Sequence, residues 1–127
     1  MYEISVHIVR LLLGLVFVAG AVNGLFVLAG KRPFMPVNAR ATGDLVNAGY
    51  LYPLVKVTEL AAGLLLLTGL YVPVALLLLA PVVLCILLAH MLHDKPLIWA
   101  GLLLLALELY LGGAYWTAFA PLFETGL

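Results

Sequence analysis

The sequence has few charged residues and only one cysteine, and both shortages exclude classes of function. Lys and Arg number 6, Asp and Glu number 6, and the formal net charge is zero, so the chain lacks the basic surface that nucleic acids bind. The lone Cys85 excludes an intramolecular disulfide and a Cys-x-x-Cys redox pair. Apolar residues make up 66% of the chain and the mean hydropathy is +1.24. Soluble domains are about 45–50% apolar, so most of this surface is expected to face lipid.

Four apolar stretches are long enough to cross a bilayer, which takes about 20 helical residues. They are residues 4–30, 51–70, 73–91 and 97–116. Short connections make successive helices antiparallel, and only residues 31–49 form a longer loop. The first stretch is too long for the apolar core of a signal peptide, so we expect it to remain as a span. The sequence therefore predicts an all-α integral membrane protein: a four-helix up-down-up-down bundle, one domain over residues 1–127, with a longer loop between helices 1 and 2.

The basic residues predict the orientation of the bundle. Lys31, Arg32, Arg40 and Lys95 fall on the side of the longer loop, whereas Arg10 lies towards the other side. Basic residues favour the cytoplasmic side of a membrane, so the loop is predicted to be cytoplasmic and both termini outside. Aromatic rings, which prefer the two membrane–water interfaces, agree with these boundaries: Tyr50, Tyr52 and Trp99 on the loop side, and Tyr71, Tyr115 and Trp116 on the other.

A few polar residues interrupt the predicted spans in the half nearer the loop. An ionisable group inside a membrane costs about 2.5–3.5 kcal/mol, so each is expected to have a partner or a function. Lys56 and Glu59 are three residues apart, on one face of a helix, where they can pair. Asn23 and His90 lie in the same half, and the four residues form a predicted polar cluster. Two interpretations remain open: the cluster holds helices together, or it lines a ligand pocket.

Other polar residues give weaker indications. Arg10 and Glu108 are a second candidate pair, although Arg10 also suits an interfacial position with its charge extended to water. His90, His93 and Asp94 form an H-x-x-H-D string. A metal site usually needs three or four ligands with supporting contacts, so we expect no metal here. No nucleophile–base pair is visible, and an enzyme with its own catalytic set is not expected.

The string Tyr-x-x-Pro-Leu-x-Lys-x-x-Glu at residues 50–59 resembles the second helix of DoxX-like membrane proteins. The resemblance extends over nearly the whole chain. Three positions depart from the family pattern: Cys85 replaces an asparagine, Ala89 a phenylalanine and Trp116 a basic residue. If that asparagine lines a site in the family, the site is altered here. The further segments that carry the resemblance are Arg10, Gly14 and Asn23-Gly24 in helix 1, residues 62–67, 72–76 and 79–83, His90, and residues 107–110 and 119–123.

The resemblance implies an accessory role rather than an intrinsic activity. Proteins of this kind are linked to quinone-dependent redox complexes, and distant relatives are assembly factors for membrane proteins. The resemblance therefore implies an accessory subunit or assembly factor in a bacterial inner membrane, with the lipid bilayer and other membrane subunits or a second copy as partners. No intrinsic cofactor is expected, although a quinone is a candidate ligand. The alternative is a protein that binds or transports a quinone or lipid in a pocket formed by the polar residues of helices 1–3.

Overall fold

The computed structural model describes residues 2–34, 49–93 and 95–124. Within them four long helices follow one another: α1 (Tyr2–Leu28), α2 (Leu51–Thr68), α3 (Val72–His93) and α4 (Ile98–Ala114). Shorter pieces complete this part of the chain: a 3-10 turn at Lys95–Leu97, α5 (Trp116–Phe119) and a 3-10 turn at Ala120–Phe123. The described residues contain no strand, so the predicted all-α class is confirmed. Most of the predicted loop, residues 35–48 with Arg40, lies outside them.

The long helices begin and end within two residues of the predicted positions, but the fourth differs in shape. α1, α2 and α3 are each long and apolar enough to cross a membrane. α4 has 17 residues, and the chain bends by 79° between Ile98–Ala114 and Trp116–Phe123. The predicted helix over residues 97–116 is therefore interrupted at Tyr115. Gly112 and Gly113 stand just before the bend, where their low helix propensity weakens the last turn.

The long helices alternate in direction. Gly69 ends α2 in the left-handed conformation, with φ 76°, and its amide donates to the Leu65 carbonyl at 2.9 Å, a common helix ending. α3 begins three residues later, so it runs back along α2. We call the end of the bundle with this turn the turn end. The opposite end, where α1 finishes and α2 begins, is the loop end.

Each helix packs against its neighbours in the order α1, α2, α3, α4, and α4 returns to α1. Glycines allow the closest approach between α1 and α2, because a Cβ built on Gly14 would lie 3.0 Å from the Gly63 carbonyl oxygen. Gly101 of α4 packs in the same way on Leu87 of α3, whose Cα would be 3.0 Å from an added Cβ. Small residues at these crossings let backbones touch, which strengthens dispersion contacts inside a membrane.

Apolar side chains fill the interior and also cover the outside of the bundle. The largest fully buried side chains are Leu13, Leu66, Leu79, Val83 and Leu111, from all four long helices. Large apolar side chains are also exposed on every one of these helices, such as Leu12, Leu64, Leu84 and Leu103. Soluble monomers do not expose apolar surface on this scale, so the bundle lies in a lipid bilayer.

Candidate functional site

Lys56 and Glu59 form an ion pair inside the bundle. Both belong to α2, and the Lys56 Nζ lies 3.1 Å from the Glu59 Oε2. The carboxylate side chain is 5% exposed and the lysine side chain 17%. The spacing of three residues brings the two groups to the same face of the helix. Glu59 lies midway along α2, so its charge is deep in the membrane and its contact with Lys56 compensates it.

Gly24 and Tyr52, which are not part of the predicted cluster, hold Lys56 in place. The lysine stem lies over Gly24 of α1, where an added Cβ would come within 2.5 Å of its Cδ and Cε. The Lys56 Nζ lies 5.3 Å from the centroid of the Tyr52 ring, within the range of a cation–π interaction. Tyr52 is 2% exposed, so it faces the interior and the prediction that it anchors the membrane interface is wrong. The spacing of four residues between Tyr52 and Lys56, which places both on one face of α2, could have predicted this contact from the sequence.

Asn23 belongs to α1 and is buried in the loop-end half of the bundle. It is 4% exposed and directly precedes Gly24, the residue on which the stem of Lys56 packs. The structure therefore brings Asn23 to the same level of the bundle as the ion pair. Its side chain is one of three buried polar groups among the described residues, with Glu59 and Glu108.

His90 lies one turn from the end of α3, at the loop end. It is half-buried, and its Nδ1 is buried without a hydrogen-bond partner among the described residues. His90 is therefore not hydrogen-bonded to the ion pair through this atom. Asp94 and the side chain of His93 lie outside the described part of the structure, and within that part no three His, Cys, Asp or Glu side chains are grouped as a metal would need.

The second predicted pair, Arg10 with Glu108, is not joined by an ion pair in the described chain. The Arg10 guanidinium donates to the backbone carbonyls of Leu66 and Leu67 in the last turn of α2. These carbonyls have no partner within the helix, and a cation there also interacts favourably with the helix dipole. The Glu108 Oε2 is buried without a hydrogen-bond partner among the described residues.

An open recess lies at the turn end, between α1 and the end of α4. It has a volume of about 400 Å³ and is lined by Glu3, Val6, His7, Ala114 and Tyr115. None of the residues of the predicted polar cluster lines it. The recess and the cluster are thus separate features: the recess lies at the turn end, and the cluster lies in the half of the bundle nearer the loop end.

Within the cluster, Lys56 and Glu59 form a neutral contact. The ammonium of Lys56 and the carboxylate of Glu59 cancel each other's charge, and Gly24 and Tyr52 pack on the lysine. The arrangement neutralises a charge that would otherwise be isolated in hydrocarbon, and it ties α1 to α2. The Glu108 Oε2 and the His90 Nδ1 remain as buried polar atoms without such compensation.

Comparisons with known proteins identify the family. The DoxX family model matches residues 5–91, more than half of the chain, and this segment includes the whole predicted polar cluster. The comparisons with curated proteins and with solved structures gave no match. Together with the long apolar helices, the match shows that the chain is a membrane protein of the DoxX family.

Proposed function

We propose that this protein is an accessory subunit or assembly factor that binds another membrane protein through the outer surface of its bundle. The observation that carries the proposal is the closed Lys56–Glu59 pair. Each charged group of the pair has its partner at 3.1 Å, and the space beside the lysine stem is filled by Gly24 and Tyr52. A pocket for a polar ligand would instead present these groups to open space. The pair thus acts in packing, and the outer surface is left for recognition.

A photo-crosslinking experiment in native membranes tests this proposal. A benzophenone amino acid is placed at one lipid-facing position on each long helix, with a fully buried position as the control. An accessory protein is expected to give a discrete crosslink to one other polypeptide from one face and none from the other faces or from the control. Crosslinks to lipid alone from every face would refute the proposal. The positions are Leu12, Leu64, Leu84 and Leu103, with Leu66 as the control.

A second candidate function, binding of a quinone or another amphipathic ligand, is favoured by a different observation. The His90 Nδ1 and the Glu108 Oε2 are buried without partners among the described residues, and such atoms are unusual enough in proteins to require an explanation. A ligand carbonyl or hydroxyl that bonds the His90 Nδ1 would provide one for that atom. A soluble short-chain quinone is the probe, with binding followed by quenching of tryptophan fluorescence. His90→Phe is expected to weaken binding at least tenfold and His7→Phe, which alters an exposed histidine, to leave it unchanged. Equal binding by both variants, or no binding at all, would remove this candidate.

We also propose that the loop end faces the cytoplasm of a bacterial inner membrane. Lys31, Arg32 and Lys95 are exposed at this end, and short basic segments favour the cytoplasmic side. With Cys85 replaced by alanine, a cysteine at Lys31 is expected to react with a membrane-impermeant maleimide only after cells are permeabilised. A cysteine at Tyr71 is expected to react in intact cells. The reverse labelling pattern would show that the loop end faces outside and would refute this proposal.

A further inference from the structure

The eight residues after Tyr115 leave the direction of α4. The axis of Trp116–Phe123 makes an angle of 79° with that of Ile98–Ala114. Four α-helical and four 3-10 residues extend about 14 Å, but at this angle they advance only about 3 Å along the axis of α4. The segment therefore adds almost nothing to the length of a crossing. If α4 crosses the bilayer, this segment lies nearly parallel to the membrane surface.

The side chains of the segment divide between the bundle and the outside. Phe119 is 8% exposed and packs with the bundle core. Trp116, Leu122 and Phe123 are 52%, 64% and 71% exposed. The Trp116 and Phe123 rings stack with centroids 5.5 Å apart. The segment carries no charged residue, so one side of it holds to the bundle while the other presents stacked aromatic and apolar surface.

We propose that residues 116–123 are an in-plane anchor, embedded at the boundary between lipid headgroups and acyl chains, and that the fourth span ends at Ala114. A span of 17 residues is the lower limit for crossing a bilayer, and α4 has 17. Aromatic side chains are enriched at the depth where such a span ends. Tyr71, which is 73% exposed in the turn between α2 and α3, marks the same end of the bundle.

Lipid fits this surface better than a second protein does. A specific protein interface buries about 800 Å² on each partner, which is more than the exposed side chains of an eight-residue segment supply, with Trp116, Leu122 and Phe123 as its large exposed apolar groups. Lipid requires no minimum contact area, since an apolar helix face at the membrane–water interface is stabilised in proportion to the area it buries. The recess beside Tyr115 contains Glu3 and His7, whose polar groups suit the headgroup region at the same level.

Depth-dependent fluorescence quenching of single tryptophans tests the proposal. With Trp99 replaced by phenylalanine, Trp116 is the sole tryptophan. A second variant carries Trp99→Phe, Trp116→Phe and Phe123→Trp, which moves the tryptophan seven residues along the chain. A third carries Leu103→Trp in place of Phe123→Trp, as a deep reference on the lipid-facing side of α4. The proteins are reconstituted in phosphatidylcholine vesicles with nitroxides at a shallow or a deep acyl position.

Tryptophans at positions 116 and 123 are expected at the same shallow depth, to within about 3 Å, and quenched more by the shallow nitroxide. The tryptophan at position 103 is expected to show the opposite preference. A helix continuing straight would separate positions 116 and 123 by about 10 Å in depth, and this result would overturn the proposal. Iodide quenching of both tryptophans, showing that they lie in water, would also overturn it. Lipid quenching that falls as the protein-to-lipid ratio rises would instead identify a second copy as the occupant.

Discussion

Replacing Lys56 by methionine removes the charge that compensates Glu59 and nearly preserves the volume of the side chain. The Glu59 side chain is 5% exposed and lies midway along α2, so it cannot reach water. Removing one partner of a buried ion pair costs about 3–5 kcal/mol. Because the isolated carboxylate can take up a proton, we expect the lower end of this range, a loss of about 3 kcal/mol in the free energy of unfolding.

The reverse change, Glu59→Gln, is expected to cost less. The amide oxygen still accepts a hydrogen bond from the Lys56 Nζ, and the lysine side chain is already 17% exposed. Long lysine stems can extend their charge towards the interface. We therefore expect a loss of about 1.5–2 kcal/mol, at the lower end of the range for one hydrogen bond to a charged group. The double variant Lys56→Met, Glu59→Leu is expected within about 1 kcal/mol of the wild type, since it leaves no isolated charge.

Unfolding in mixed micelles by increasing fractions of sodium dodecyl sulfate, followed by circular dichroism and tryptophan fluorescence, measures these differences. Lys95→Met, at an exposed lysine, is the matched control and is expected to change stability by less than about 0.5 kcal/mol. The double variant together with Lys56→Met and Glu59→Leu alone gives the coupling energy between the side chains. A double variant whose loss equals the sum of the two single losses would refute the reasoning, as would a greater loss from Glu59→Gln than from Lys56→Met.

The same unfolding assay checks three other contacts. Gly24→Ala is expected to lower the free energy of unfolding by about 1–3 kcal/mol through overpacking, because the added Cβ would lie 2.5 Å from the Lys56 stem. Gly20→Ala is the control and is expected to be tolerated, because nothing lies within 4 Å of its added Cβ. Equal losses from the two variants would contradict the packing of Lys56 on Gly24. Arg10→Met is expected to cost about 1.5–3 kcal/mol, the range for hydrogen bonds to a charged group, and Arg10→Lys to recover part of this, since one ammonium can still reach a carbonyl. Tyr110→Phe removes the hydroxyl that lies 2.6 Å from the Ser5 Oγ. It is expected to lower the free energy of unfolding by about 0.6 kcal/mol, the average for polar contacts between membrane helices. A loss above about 2 kcal/mol would contradict this expectation for the Tyr110–Ser5 contact.

Local sequence was enough for the spans and for the ion pair. Lipid offers no partner for an unpaired backbone amide or carbonyl, so each long apolar run has to be a helix, and α1 to α4 begin and end close to the predicted residues. Lys56 and Glu59 meet because a spacing of three within one helix fixes their geometry. The match of residues 5–91 to the family agrees with the resemblance that residues 50–59 carried.

Contacts between helices were decided by the tertiary structure. Arg10 reaches the carbonyls at the end of α2, although Glu108 was a candidate partner. Gly24 rather than a polar residue receives the Lys56 stem. Both depend on how each helix is rotated about its axis. A helix that is apolar on all sides carries little information about that rotation, which is set when side chains pack. The bend after Ala114 was also decided by the tertiary structure, because hydropathy gives the length of an apolar run and no information about the direction of its helix axis.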